Sequence, residues 1–172
     1  MFVDVPLRAD SLPGPGIGDG YTVAVSLMAP FSRGSLRLAS GVPGAAPVID
    51  PRYYTDARDL DMMTAGLRMA REIGSAEALA PWRSADVLPG PGVTGDEQLR
   101  AYLRRNIRSY SHYAGTCALG TDAMAVVDTE LRVHGIEGLR VADASVMPAP
   151  VSANTNATVY AIAERAADLI RA

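Results

Sequence analysis

The spacing of apolar residues divides the chain into short alternating runs and three helical stretches. From Tyr21 onward, Val23, Val25 and Leu27 alternate with small or polar neighbours and fall on one face, the period of a strand. A second alternating run, Ser35 to Ser40, follows a turn at Pro30 to Gly34, and Val48-Ile49 reads as a brief edge strand inside a loop. The period then changes. Leu60, Met63, Leu67, Ala70 and Ile73 recur at threes and fours, which predicts a helix capped by Thr55 or Asp56 and closed at Gly74. Thr94 and Glu97 have capping-box spacing for a second helix reaching about Arg108, with Leu99, Leu103 and Ile107 on one face. Strand-like runs at Met124–Asp128 and Leu139–Ala142 precede a proline-bearing loop. A last helix from about Thr155 is expected to bury Val159, Ile162, Ala163, Ala166, Leu169 and Ile170. Residues 1–20, rich in Pro and Gly, read as an irregular lead-in. The expected architecture is α+β: a small, mainly antiparallel sheet with helices packed on it.

Composition acts by exclusion. A chain of 172 residues supports one domain with a core, and 48% hydrophobic with 20% charged residues is the balance of a soluble globular protein. The formal net charge of −3 lacks the basic footprint of a nucleic-acid binder, so no nucleic-acid partner is expected. No apolar run approaches the roughly 20 residues that cross a bilayer, and the first ten residues lack the basic-then-apolar order of a secretion signal. The single cysteine, Cys117, cannot form an internal disulfide. Together these make a cytoplasmic protein without a membrane partner the expectation.

Candidate chemistry gathers in the last third. His112 lies in Ser-His-Tyr-Ala-Gly-Thr-Cys117, a segment too irregular for a helix face or a strand, where an imidazole can accept a proton near neutral pH or stand without a role. His134, in a strand end running into Gly135, reads as a turn histidine. Asp143 and Ala144 end the run Leu139–Ala142; a carboxylate and small residues there suit either a turn cap or the close approach of a ligand. Asn154, Thr155 and Asn156 precede the last helix, as N-caps or as an edge where free amides and the helix dipole meet an electron-rich group. Two histidines 22 positions apart and one cysteine make no metal-ligand spacing.

Read in order, His112-Tyr-Ala-Gly-Thr-Cys117, Ala125-Val-Val-Asp128, Leu131-Arg-Val-His-Gly135, Gly138-Leu-Arg-Val-Ala-Asp-Ala-Ser-Val-Met-Pro148, Asn154-Thr-Asn156 and Ile162 to Ile170 resemble the C-terminal domain of the glucose–methanol–choline (GMC) oxidoreductases. Pro30 to Gly34, Leu36 to Leu38 and Tyr53 to Asp59 resemble that family's substrate-domain sheet and helix, so the likeness runs from about residue 21 to the end. The resemblance implies oxidation of an alcohol to a carbonyl with hydride transfer to the N5 atom of FAD. It implies His112 as the proton acceptor and Asn154 as its catalytic partner, six residues before Tyr160. It also implies that Asp143, Ala144, Asn154 and Thr155 lie against the FAD, with residues from about 139 docking on the FAD domain. The family's nucleotide-binding half opens with a strand and a G-x-G-x-x-G turn; here Gly14-Pro-Gly16-Ile-Gly18 has neither the strand before it nor the helix after it, and no such turn is expected. FAD binding would then call for a partner chain carrying that half, or self-association. The alternative reading is a non-catalytic binding or assembly module derived from the same domain.

Overall fold

The computed structural model of the protein describes residues 2–3 and 20–171. Of the expected irregular lead-in, Phe2–Val3 is instead a strand, because it finds a pairing partner at Thr22–Val23, and the Gly14–Gly18 run lies outside the described residues. The fold is α+β, with short antiparallel strand pairs and three helices. Its contacts fall into two compact units: one holds Tyr53–Arg108 with the described residues up to Leu27, the other Met28–Arg52 with Ser109–Ala172.

In the first unit, β1 (Phe2–Val3) pairs antiparallel with β2 (Thr22–Val23). The run beginning at Tyr21 is therefore a strand for two residues only, with Phe2–Val3 as its partner. Helix α1 (Ala57–Ser75) starts where Asp56 accepts a hydrogen bond from the Arg58 amide at 3.0 Å, satisfying one of the free donors of its first turn. Of its apolar stripe, Leu60 and Ala70 are buried, while Ile73 is exposed. Gly66 lets the chain at Val25 come close: a Cβ there would stand 2.6 Å from Val25 Cγ1. At the other end, Arg83 donates to the carbonyls of Gly74 and Ala76 at 2.8 and 3.1 Å, and the Tyr21 hydroxyl also donates to Gly74.

Helix α2 (Asp96–Arg105) is shorter than expected and begins differently. The Gln98 carboxamide, not Glu97, accepts from the Gly95 and Thr94 amides at 3.0 and 3.2 Å, so Gly95 is the capping position. Glu97 instead places a negative charge in the first turn. Leu99 and Leu103 are buried, whereas Ile107 lies beyond the helix end. Ion pairs join the two helices, Arg100 to Asp61 at 2.5 Å and Arg68 to Asp96.

In the second unit, β3 (Ser35–Arg37) and β4 (Val48–Asp50) form an antiparallel pair with Leu36 opposite Ile49. Gly34 is required beside it, since a Cβ would fall 2.3 Å from the Asp50 carbonyl oxygen. The remaining expected strands are not regular ones. Residues 119–141 are stitched by single bridges between Leu119 and Val127, Val127 and Val133, and Arg132 and Arg140. Their apolar residues still make a core, in which Val127, Leu131, Val146 and Ala166 are buried. Helix α3 (Asn156–Arg171) covers that core with Ala166, Ile162 and Leu169, but Ala163 and Ile170 face solvent. The apolar stripe of α3 is wider than the core beneath it.

Candidate functional site

The loop that carries His112 is hung on a short 3-10 turn, Ala144–Val146. The Ser145 carbonyl accepts from two amides of that loop, Gly115 at 3.1 Å and Cys117 at 3.0 Å, and the Val146 carbonyl accepts from Leu119 at 2.9 Å. Gly115 has φ 88, a conformation side chains disfavour, which explains a glycine three residues after His112. The 3-10 turn is held by Asp143, whose carboxylate accepts from both the amide and the hydroxyl of Ser145. Those hydrogen bonds hold the Asp143 carboxyl below its usual range, so it stays a carboxylate over ordinary pH. Asp143 thus serves as a turn cap, with Ala144 directly after it in the turn.

This framing brings two sequence-distant candidates together. His112 Nε2 and Asn154 Oδ1 lie 3.2 Å apart across 42 positions of chain. Asn154 stands two residues before the first helical residue of α3, and the first intrahelical bond runs from the Val159 amide to the Thr155 carbonyl at 3.0 Å. Its amide therefore faces His112 and does not cap the helix. His112 is half-buried and Asn154 exposed, so the pair is open on one side. Tyr110 was not legible as part of this group; its ring meets the imidazole edge-on, centroids 4.6 Å apart. An aromatic two positions from the histidine was the available signal.

His134 is placed elsewhere. Its Nε2 lies 3.2 Å from the Gly120 carbonyl oxygen, in a surface turn beside the Asp128–Arg132 ion pair of 2.9 Å. The Arg132 amide, Arg132 guanidinium and Glu130 amide all bond Asp128 and hold its carboxyl below the usual range. That cluster is internally satisfied.

The G-x-G-x-x-G spacing does occur, contrary to the sequence expectation, as Gly90-Pro-Gly92-Val-Thr-Gly95 directly ahead of α2. Four of its five amides are already engaged. Gln98 takes the Thr94 and Gly95 amides, the Val93 amide bonds the Gly90 carbonyl at 3.2 Å, and the Gly90 amide meets Asp86 at 3.4 Å. Arg71 donates to the Gly90 and Val93 carbonyls and pairs with Asp86 at 2.8 Å. No strand leads into it. The hexapeptide is a latch on α1 in place of a phosphate cradle, which needs its amides free.

The first amides of α3 have no intrahelical acceptor and sit at the positive end of its dipole, with Asn154 and Thr155 directly ahead of them. These features fit a ligand approaching the open side of the His112–Asn154 pair.

The family model for GMC oxidoreductases matches residues 30–163. Choline oxidase of Arthrobacter globiformis is 44% identical over 161 residues, covering 91% of this chain and 30% of that enzyme. The alcohol dehydrogenase (acceptor) of Pseudomonas putida is 41% identical over 154 residues, covering 90% of this chain and 28% of its own length. Among solved structures, pyridoxine 4-oxidase from Mesorbium loti superposes with a TM-score of 0.88 at 34% identity, over 95% of this chain and 32% of that one. A matching structure from Chaetomium thermophilum, at 39% identity and a TM-score of 0.78, is described as an FAD-dependent oxidoreductase. The chain thus spans about a third or less of these relatives. With the family model matched over residues 30–163 and these likenesses in agreement, the chain belongs to the GMC oxidoreductases.

Proposed function

We propose that this chain is the substrate-side part of an FAD-dependent alcohol oxidoreductase, in which His112 takes the proton of an alcohol hydroxyl and Asn154 holds its oxygen. The observation that carries this is the 3.2 Å approach of His112 to Asn154, made by two loops that the fold gathers from 42 positions apart. An imidazole at this spot can accept the hydroxyl proton while the neighbouring amide donates to the oxygen that gains negative charge. With Nε2 as acceptor, the carboxamide turns its Nδ2–H toward the oxygen; once Nε2 carries the proton, Oδ1 accepts from it in the arrangement seen here. The pair suits both protonation states by a half-turn of one amide. FAD, when bound, supplies the acceptor for the hydride that leaves the carbinol carbon as the carbonyl forms.

The nucleotide end of FAD finds no free cradle among the described residues, since the one G-x-G-x-x-G string is a latch. We take the nucleotide-binding half to be supplied by further polypeptide, and the uncovered strip of α3 around Ala163 and Ile170 is suited to meeting it. Choline oxidase and pyridoxine 4-oxidase, named above, make choline and pyridoxine the first alcohols to try. The test is to purify the chain with a polypeptide carrying the nucleotide-binding half and FAD, then follow flavin absorbance on adding each alcohol. Bleaching by an alcohol in the unaltered assembly, and its absence with His112→Ala, is the expected result. A flavin-loaded assembly that bleaches equally with both would end the proposal, and one that binds alcohols without ever bleaching would favour the non-catalytic module.

A further inference from the structure

One hydrogen bond fixes the direction of one ring atom of an imidazole and leaves the ring free to turn about that line. His112 Nε2 has its bond with Asn154. A second contact restrains that turning: the Tyr110 ring meets the imidazole with centroids 4.6 Å apart and planes inclined by 63°, the edge-to-face arrangement aromatic rings prefer. Tyr110 is 43% exposed and is not among the residues packed on the core, so its ring is not explained by the packing of that core. The backbone between the two rings is specially shaped. The Ser111 amide donates to Ser109 Oγ at 2.9 Å, and Ser111 takes φ 61, a region non-glycine residues seldom occupy. Such conformations persist where the surroundings hold them and gather at functional sites.

We propose that Tyr110, held back by the Ser109–Ser111 turn, is a positioning residue that sets the plane of the His112 imidazole so that Nε2 faces the oxygen held by Asn154. This rests on the reading of His112 as the proton acceptor, and it assigns to the two residues before His112 a role distinct from substrate contact. Its chemical consequence is orientation: a proton transfer demands that the acceptor lone pair lie along the O–H direction, and small misplacements of a reacting group are expensive in rate.

With two histidines in the chain, their ring protons can be followed individually by NMR in the 172-residue protein, His134 serving as an internal reference for the fold. Expected are a nuclear Overhauser contact between the Tyr110 and His112 rings, a displaced His112 ring signal in Tyr110→Leu, an unmoved His134 signal, and near-native behaviour in Tyr110→Phe. In the flavin-loaded enzyme, Tyr110→Leu should lower kcat by about 10- to 100-fold with KM little changed, and Tyr110→Phe should restore it. Absence of the ring contact in the unaltered protein overturns the proposal even if Tyr110→Leu fails to fold. So does a kcat in Tyr110→Leu equal to that of the unaltered enzyme. If the ring contact is present but His112→Ala keeps full turnover, the acceptor reading falls instead; if the contact is absent and His112→Ala is inactive, only the positioning role falls.

Discussion

The two units of this chain are built by different means. The unit around α1 and α2 is regular: two helices bury Leu60, Leu99 and Leu103 and are tied by ion pairs, with an arginine latch on α1. The unit that holds His112 and Asn154 has only one long helix, and the rest of its core is wrapped in bridged loops and one 3-10 turn. Regular structure satisfies its backbone by repetition, so its side chains are free to pack. Irregular backbone must satisfy each group individually, and here that requirement aims side chains: the two amides bonded to Ser145 leave His112 facing Asn154. The proposed chemistry sits on the second kind, where positions distant in sequence can be brought to one point.

The contrast is sharpest in substitution experiments. The largest effect is expected at the site. In a flavin-loaded assembly His112→Ala should reduce kcat/KM by roughly 10²- to 10⁴-fold, the usual worth of a general base, while His134→Ala leaves it unchanged. Equal losses from both would erase the distinction drawn here between the two histidines. Next comes Asn154→Asp, which replaces a donor by a carboxylate that repels the developing oxygen charge. Turnover should fall by about 10²- to 10³-fold, as for loss of one hydrogen-bond donor to the developing oxyanion. Folding should be unaffected, because Asn154 caps nothing; thermal unfolding and turnover measured on the same sample separate the two. A variant that keeps most of its turnover would return Asn154 to the status of a loop residue.

The regular unit should respond in stability alone. Leu99 is 1% exposed, and Leu99→Ala should destabilise the protein by about 2–5 kcal/mol, read from the denaturant midpoint. The His112 ring signals in the still-folded fraction should stay where they are. If they moved, the division between a supporting unit and a reacting one would be too clean.

The smallest effect concerns pH. Hydrogen bonds from the Arg58 side chain and amide lower the Asp56 carboxyl from 3.8 to about 2. Because the folded value lies below the unfolded one, the stabilisation is complete above about pH 4 and is lost as pH falls toward 2. Asp56→Asn keeps a capping side chain but cannot titrate, so its acid-unfolding curve should be shallower over that window than the native one. Curves of identical slope would show that this cap contributes no measurable pH dependence.

How much of this was legible beforehand also divides by region. Helices α1 and α3 stand close to their expected limits because periodic apolar residues and an aspartate cap declare them locally. The start of α2 was displaced because Gln98, one position after Glu97, reaches the free amides. The runs at 124–128 and 139–142 have strand composition but short, single bridges, since their partners are loops and not long strands. Ala163 and Ile170 were expected inside, yet the core under α3 takes only the other side of the stripe. His112 and Asn154 were both singled out, but their meeting depends on Gly115, Cys117 and Ser145 backbone groups that no residue pattern reports. The same is true of Gly90–Gly95, where spacing alone suggests a phosphate and hydrogen-bond occupancy answers with Arg71.

The double acceptance at Ser145 also imposes an order in time. On a chain made from its N-terminus, His112 emerges before the carbonyl that frames its loop, and Asn154 emerges after both. Until Ser145 and Asn154 are available, the histidine is an ordinary side chain on unsupported backbone. The framed placement of His112 arrives late and all at once, when a loop closed over some thirty positions is finally fastened.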